Sequence, residues 1–68
     1  MNIQIHIQSQ SAHITRNNRS ESFTNQKEAR QFLAEWLEKL NYEGETPLEV
    51  QDGQYFDCRD YIVEVEIN

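Results

Sequence analysis

Few side chains in this sequence have chemistry of their own. His6 and His13 are the two imidazoles, Cys58 is the one thiol, and Asp52, Asp57 and Asp60 place carboxylates close together along one stretch. An imidazole that titrates near neutral pH can serve as a base or a metal ligand. A thiolate can attack an electrophile, and clustered carboxylates can hold a hard cation. None of these chemistries finds its pattern here. Neither histidine has a second His or a Glu at the spacing of a zinc-binding pair, and His6 alternates with isoleucines, which makes it a strand residue on a polar face. Cys58 lies beside Asp57 and Asp60, whose negative charge raises a thiol pKa and disfavours the thiolate, so a small buried or half-buried strand residue is its expected role. The aspartates do not follow the order of a calcium-binding loop. Asp52 is expected in a turn, and Asp57 and Asp60 in a solvated bend. The chain is therefore expected to have no catalytic residue, no cofactor and no metal ion.

The elements that must position these residues are legible from periodicity. In residues 2–8, Ile3, Ile5 and Ile7 fall on one side and Gln4, His6 and Gln8 on the other, as in a half-buried strand. Ile14 breaks that parity, so a turn near Ser9-Gln10-Ser11 is expected, with a second strand from about Ala12. A turn or bulge at Asn17-Asn18 leaves residues 12–23 as either one bulged strand or a short hairpin. Ala29, Phe32, Leu33, Trp36, Leu37 and Leu40 trace one helical stripe, which places Trp36 in the core. Thr24 or Asn25 caps that helix, and with Asn25 as cap Glu28 takes the capping-box position. The helix should end between Asn41 and Gly44, with Pro47 preventing a restart.

Beyond it, Glu49-Val50-Gln51 and Gln54-Tyr55-Phe56 flank Asp52-Gly53, a strong hairpin signal. Tyr61, Val63, Val65 and Ile67 then alternate with Ile62, Glu64 and Glu66. Residues 54–67 are either one strand bent near Cys58-Arg59-Asp60 or two strands. The expected fold class is α+β in the order β-β-α-β-β, with one amphipathic helix packed on one face of a small, mostly antiparallel sheet. Its outer face would carry Gln4, His6, Gln8, Glu64 and Glu66.

With 68 residues, of which 37% are hydrophobic, the expectation is one small domain over residues 1–68, too small to enclose a deep substrate cavity. No apolar run approaches the ~18 residues of a membrane span, and the alternating N-terminus does not read as a signal peptide. One cysteine cannot form an internal disulfide, which fits a cytoplasmic location. The net charge is −6, which disfavours a nucleic-acid backbone as partner. Its distribution is uneven. Residues 1–34 hold four basic and two acidic side chains, whereas residues 35–68 hold two basic and ten acidic ones.

Phe23-Thr24, Glu28-Ala29 and Phe32-Leu33 together resemble the strand-to-helix passage of small mobile-element domains, including the DNA-binding arm of phage integrases. Such arms are basic, and this chain departs from them in charge, so none of their functional residues is carried over. The charge pattern points instead to a small acidic, non-catalytic protein that docks on a larger protein with a basic surface. Carboxylates on a rigid sheet can imitate nucleic-acid phosphates, as in phage- or plasmid-type inhibitors of the anti-CRISPR kind, which share this size and charge. The residues expected to meet that partner are Asp57, Asp60, Glu64 and Glu66, with Tyr42 and Tyr55 supplying rigid contact area. Two alternatives stand beside this. One is a homo-oligomeric module, such as a dimer joined through an exposed sheet edge. The other is a weak nucleic-acid-binding domain using Arg16, Arg19, Lys27 and Arg30.

Overall fold

Ile3, Ile5 and Ile7 have no accessible surface, because the strand that carries them is interior to the sheet and turns them under the helix. In the computed structural model, which describes residues 1–11, 13 and 18–68, the elements are β1 (Ile3–Ser9), β2 (Arg19–Phe23), α1 (Gln26–Lys39), β3 (Tyr55–Cys58) and β4 (Tyr61–Ile67). The strands form one four-stranded sheet ordered β2-β1-β4-β3, antiparallel at every junction. One helix on one face of this sheet gives an α+β fold in the expected order. The isoleucines of β1 meet Val63 and Val65 of β4 across the ladder, and Ala29, Leu33, Trp36 and Leu37 of α1 close the core from above.

Local chemistry sets the ends of the helix. The Asn25 side chain accepts the Glu28 N–H at 2.9 Å, as an N-cap should. At the other end Asn41 takes a left-handed φ of 58°, which Asn tolerates better than most residues. The Tyr42 and Asn41 amides then reach back to the carbonyls of Leu37 and Glu38 at 2.9 and 3.1 Å. This is a Schellman closure. It sends the chain back toward β3, where the Tyr42 ring packs edge-on against Phe56 with ring centres 5.5 Å apart.

Two sequence expectations are corrected. Glu49-Val50-Gln51 is not a strand, and Asp52-Gly53 does not join two strands. Gly53 has φ +85° and lies opposite Val65 together with Gln54, donating to the Val65 carbonyl at 2.9 Å while the Val65 amide donates to Gln54 at 3.0 Å. Two residues facing one is a β-bulge, and a left-handed glycine is its usual first residue. Asp52 serves the same edge, its carboxylate accepting the Ile67 N–H at 2.9 Å. The actual hairpin joins β3 and β4 through Arg59-Asp60, so residues 54–67 hold two strands. Arg59 has φ 67°, and its amide donates to the Asp57 carboxylate at 3.0 Å. In the segment 12–23, β2 accounts for Arg19–Phe23, while the expected strand start at Ala12, Ile14 with its parity break, Arg16 and Asn17 lie outside the described residues.

Candidate functional site

The sheet has one face under the helix and one over which, among the described residues, nothing packs. Strand register decides which side chains occupy the open face. One row runs Ser22, Gln4, Glu66; the next runs Ser20, His6, Glu64, Tyr55; the third runs Gln8, Ile62, Asp57. At ~4.8 Å between strands the longest row spans about 14 Å. Neighbouring rows are separated by ~6.8 Å, two residues along a strand. Glu64, Glu66 and Asp57 are exposed, and Tyr55 is 56% exposed beside Glu64. The acidic side chains of this face are Glu64, Glu66 and Asp57. Lysine and arginine are absent from it among the described residues.

His6 holds the centre. Its Nε2 lies 3.3 Å from a Glu66 carboxylate oxygen and its Nδ1 2.7 Å from the Ser20 hydroxyl. A carboxylate can only accept, so Nε2 carries the proton and, in the neutral ring, Nδ1 accepts from Ser20. Sequence reading missed this contact, because Ser20 is 14 residues away and Glu66 is 60. The order Ser–His–Glu is that of a nucleophilic relay. Acyl transfer also needs amides aimed at a developing oxyanion. The amides of β1 are committed to ladders on both sides, and the adjoining groove at Asn18, Arg19 and Ser20 is shallow and open. What the array does accomplish is to fix Glu66 and the imidazole in place on the acidic face.

The other expected partner residues are distributed as follows. Asp57 belongs to the open face and accepts from Gln10 Nε2 at 2.9 Å. Asp60 is exposed in the β3–β4 turn at the end of the sheet. Tyr42 does not join them: it is half-buried against Phe56 on the helix side. Three of the basic side chains are engaged away from the open face. The Arg19 guanidinium stands 5.0 Å from the centre of the Trp36 ring, and Lys39 Nζ stands 4.8 Å from it. Arg30 Nε donates to the Pro47 carbonyl at 2.9 Å, Lys27 is exposed on α1, and Arg16 lies outside the described residues. Leu48, 91% exposed at the tip of the loop after α1, carried no sequence signal, since it belongs to no periodic pattern.

No group of three or more His, Cys, Asp or Glu side chains gathers to hold a metal ion among the described residues. Cys58 is buried. Burial pushes its thiol above the ordinary value, and the charge of Asp57 adds to the rise. The protonated thiol therefore dominates at neutral pH. In the native protein Cys58 should react with a disulfide reagent at pH 8 at least about tenfold more slowly than in urea. Equal rates in the two states would mean that the thiol is accessible. Among the described residues no helix is long and apolar enough to cross a membrane. Comparison with known proteins finds no match to a family model, to a curated protein or to a solved structure.

Proposed function

We propose that the chain is a small acidic, non-catalytic binding protein whose open sheet face docks on a basic surface of a larger protein, in the manner of nucleic-acid-mimicking inhibitors of the phage or plasmid type, anti-CRISPR proteins among them. The observation that carries this reading is the segregation of charge. Among the described residues, Glu64, Glu66 and Asp57 share a plane that nothing covers and that holds no lysine or arginine, while Arg19, Lys39 and Arg30 are engaged elsewhere in the fold. A rigid sheet costs little ordering entropy on docking, and an exposed tyrosine beside carboxylates supplies contact area where the charges steer. A single buried thiol suits a reducing cytoplasm, where we place the protein.

The test uses the immobilised chain against an extract of its host, with elution by salt and by competing duplex DNA. The wild type should retain a protein that both release. The Glu64→Lys, Glu66→Lys double variant should retain none of it, with an unchanged circular dichroism spectrum. Retention of the same protein by the folded variant would exclude the acidic face as the docking surface.

A further inference from the structure

The outer edge of β2 is a second surface, and the register of the ladders fixes its backbone phase. Asn2 and Asn68 exchange both amide bonds, at 3.2 and 2.9 Å. In an antiparallel ladder such pairs alternate, so Gln4, His6 and Gln8 also turn their amides toward β4. Ile3, Ile5 and Ile7 turn theirs toward β2, where they meet Phe23, Glu21 and Arg19. Ser20 and Ser22 therefore direct their N–H and C=O groups outward, away from the sheet. No backbone group among the described residues bonds to that edge. The edge also lacks proline, lysine and a bulge, three of the usual means of blocking a free strand.

Two charges do sit on the helix side of β2, Arg19 and Glu21, in register with Ile7 and Ile5. A charge facing that way normally discourages an added strand, which would cover it unpaired. An antiparallel copy of β2 is different. With Ser20 opposite Ser20 of the second copy, Arg19 stands opposite Glu21 of the second copy and Glu21 opposite its Arg19. Both pairs occupy non-hydrogen-bonded positions, where cross-strand side chains come closest. A shift of the partner strand by two residues in one direction sets Glu21 against Glu21, which is repulsive. The opposite shift leaves Arg19 without a carboxylate partner.

From this self-complementary register we propose that β2 is a dimerisation edge, pairing antiparallel with β2 of a second copy to form one continuous sheet. The two-fold axis passes between the paired Ser20 residues, perpendicular to the sheet. Both acidic faces then point the same way, and both helices lie on the other side. This inference rests on the β2 edge alone and does not depend on what the acidic face binds.

Sedimentation equilibrium of the wild type and three variants tests it. The wild type should move between the 8.1 kDa monomer and a species of twice that mass, with a midpoint in the micromolar range. Ser22→Pro removes an outward N–H while leaving the β1 ladder intact, and should be monomeric with a native spectrum. Glu21→Arg should weaken the dimer by about tenfold, and the exchange Arg19→Glu with Glu21→Arg should restore it to within about threefold. Where Ser22→Pro loses its spectrum, Glu21→Arg and the exchange decide, since neither alters the backbone. A wild type that stays monomeric up to about 1 mM would overturn the proposal. So would a dimer that Glu21→Arg leaves unchanged or that the exchange fails to restore.

Discussion

Trp36→Ala is expected to remove most of the stability of this protein. The ring is only 8% exposed and continues an aromatic series, with Phe32 6.2 Å away and Phe23 5.2 Å beyond Phe32. Arg19 and Lys39 both rest on it, so truncation leaves a cavity and also strands two stacked cations. Large aromatic deletions cost about 3–5 kcal/mol. A domain of this size sits near the bottom of the ~5–15 kcal/mol range of native stabilities. Urea denaturation followed by far-ultraviolet circular dichroism should show the variant largely unfolded at 25 °C. Trp36→Phe, which keeps a ring in the stripe, should retain a cooperative transition at lower denaturant. A Trp36→Ala protein that melts with the wild type would mean that the ring contributes nothing to the core.

Gln26→Ala should have the second largest effect, for a reason of backbone accounting. Val50 is 1% exposed, yet it belongs to no strand. Both of its main-chain groups are satisfied by one side chain: Gln26 Nε2 donates to the Val50 carbonyl at 2.7 Å, and the Val50 amide donates to Gln26 Oε1 at 2.8 Å. The amide side chain acts as a substitute strand partner and ties the loop to the first turn of α1. Truncation leaves two partly buried backbone groups without partners, at about 1–3 kcal/mol each. A loss of about 2–4 kcal/mol is expected in the same denaturation assay, while Gln31→Ala on the exposed helix face should change stability by less than about 0.5 kcal/mol. Equal stability for Gln26→Ala and wild type would mean that water replaces the side chain at no cost.

These two residues mark what could be read in the sequence and what could not. Trp36 was legible because a helical stripe is a property of spacing alone, and the same holds for the isoleucines of β1 and the Val63-Val65 alternation of β4. The cap was legible to within two residues, Thr24 or Asn25, because a capping side chain acts on an amide close in sequence, and the structure uses Asn25. Gln26 was not, since nothing local distinguishes a glutamine that bonds to position 50 from one that faces solvent. The misplaced hairpin has a related cause. Asp52-Gly53 does make a turn, but whether the strand after it pairs with residues 49–51 or with β4 depends on packing. The true hairpin uses Arg59, whose left-handed backbone is unfavourable for a branched-chain-free but Cβ-bearing residue and is supported by the Asp57 carboxylate two residues earlier. On the candidate site, alternation alone put His6, Glu64 and Glu66 on the outer face. The neighbours Ser20, Tyr55 and Asp57 needed the strand order, and Tyr42 was drawn away from them by the Schellman turn that points it at Phe56.

The two faces of the sheet differ in what they carry. The helix side holds the hydrophobic core, the aromatic series and the engaged cations. The open side presents His6, Glu64 and Glu66 on the interior strands β1 and β4, with Tyr55 and Asp57 beside them on the edge strand β3. Under the proposed function, docking uses the open side and only that side. The direct measurement is a map of backbone amide shifts in the isotope-labelled chain, titrated with the protein that the immobilised wild type retains. The account predicts shifts concentrated at Tyr55, Asp57, Ile62, Glu64 and Glu66, weakening as salt rises, with the exposed helix positions Lys27, Gln31 and Glu35 unmoved. Shifts centred on those helix positions, or on the loop at Leu48, with the open face silent, would contradict it.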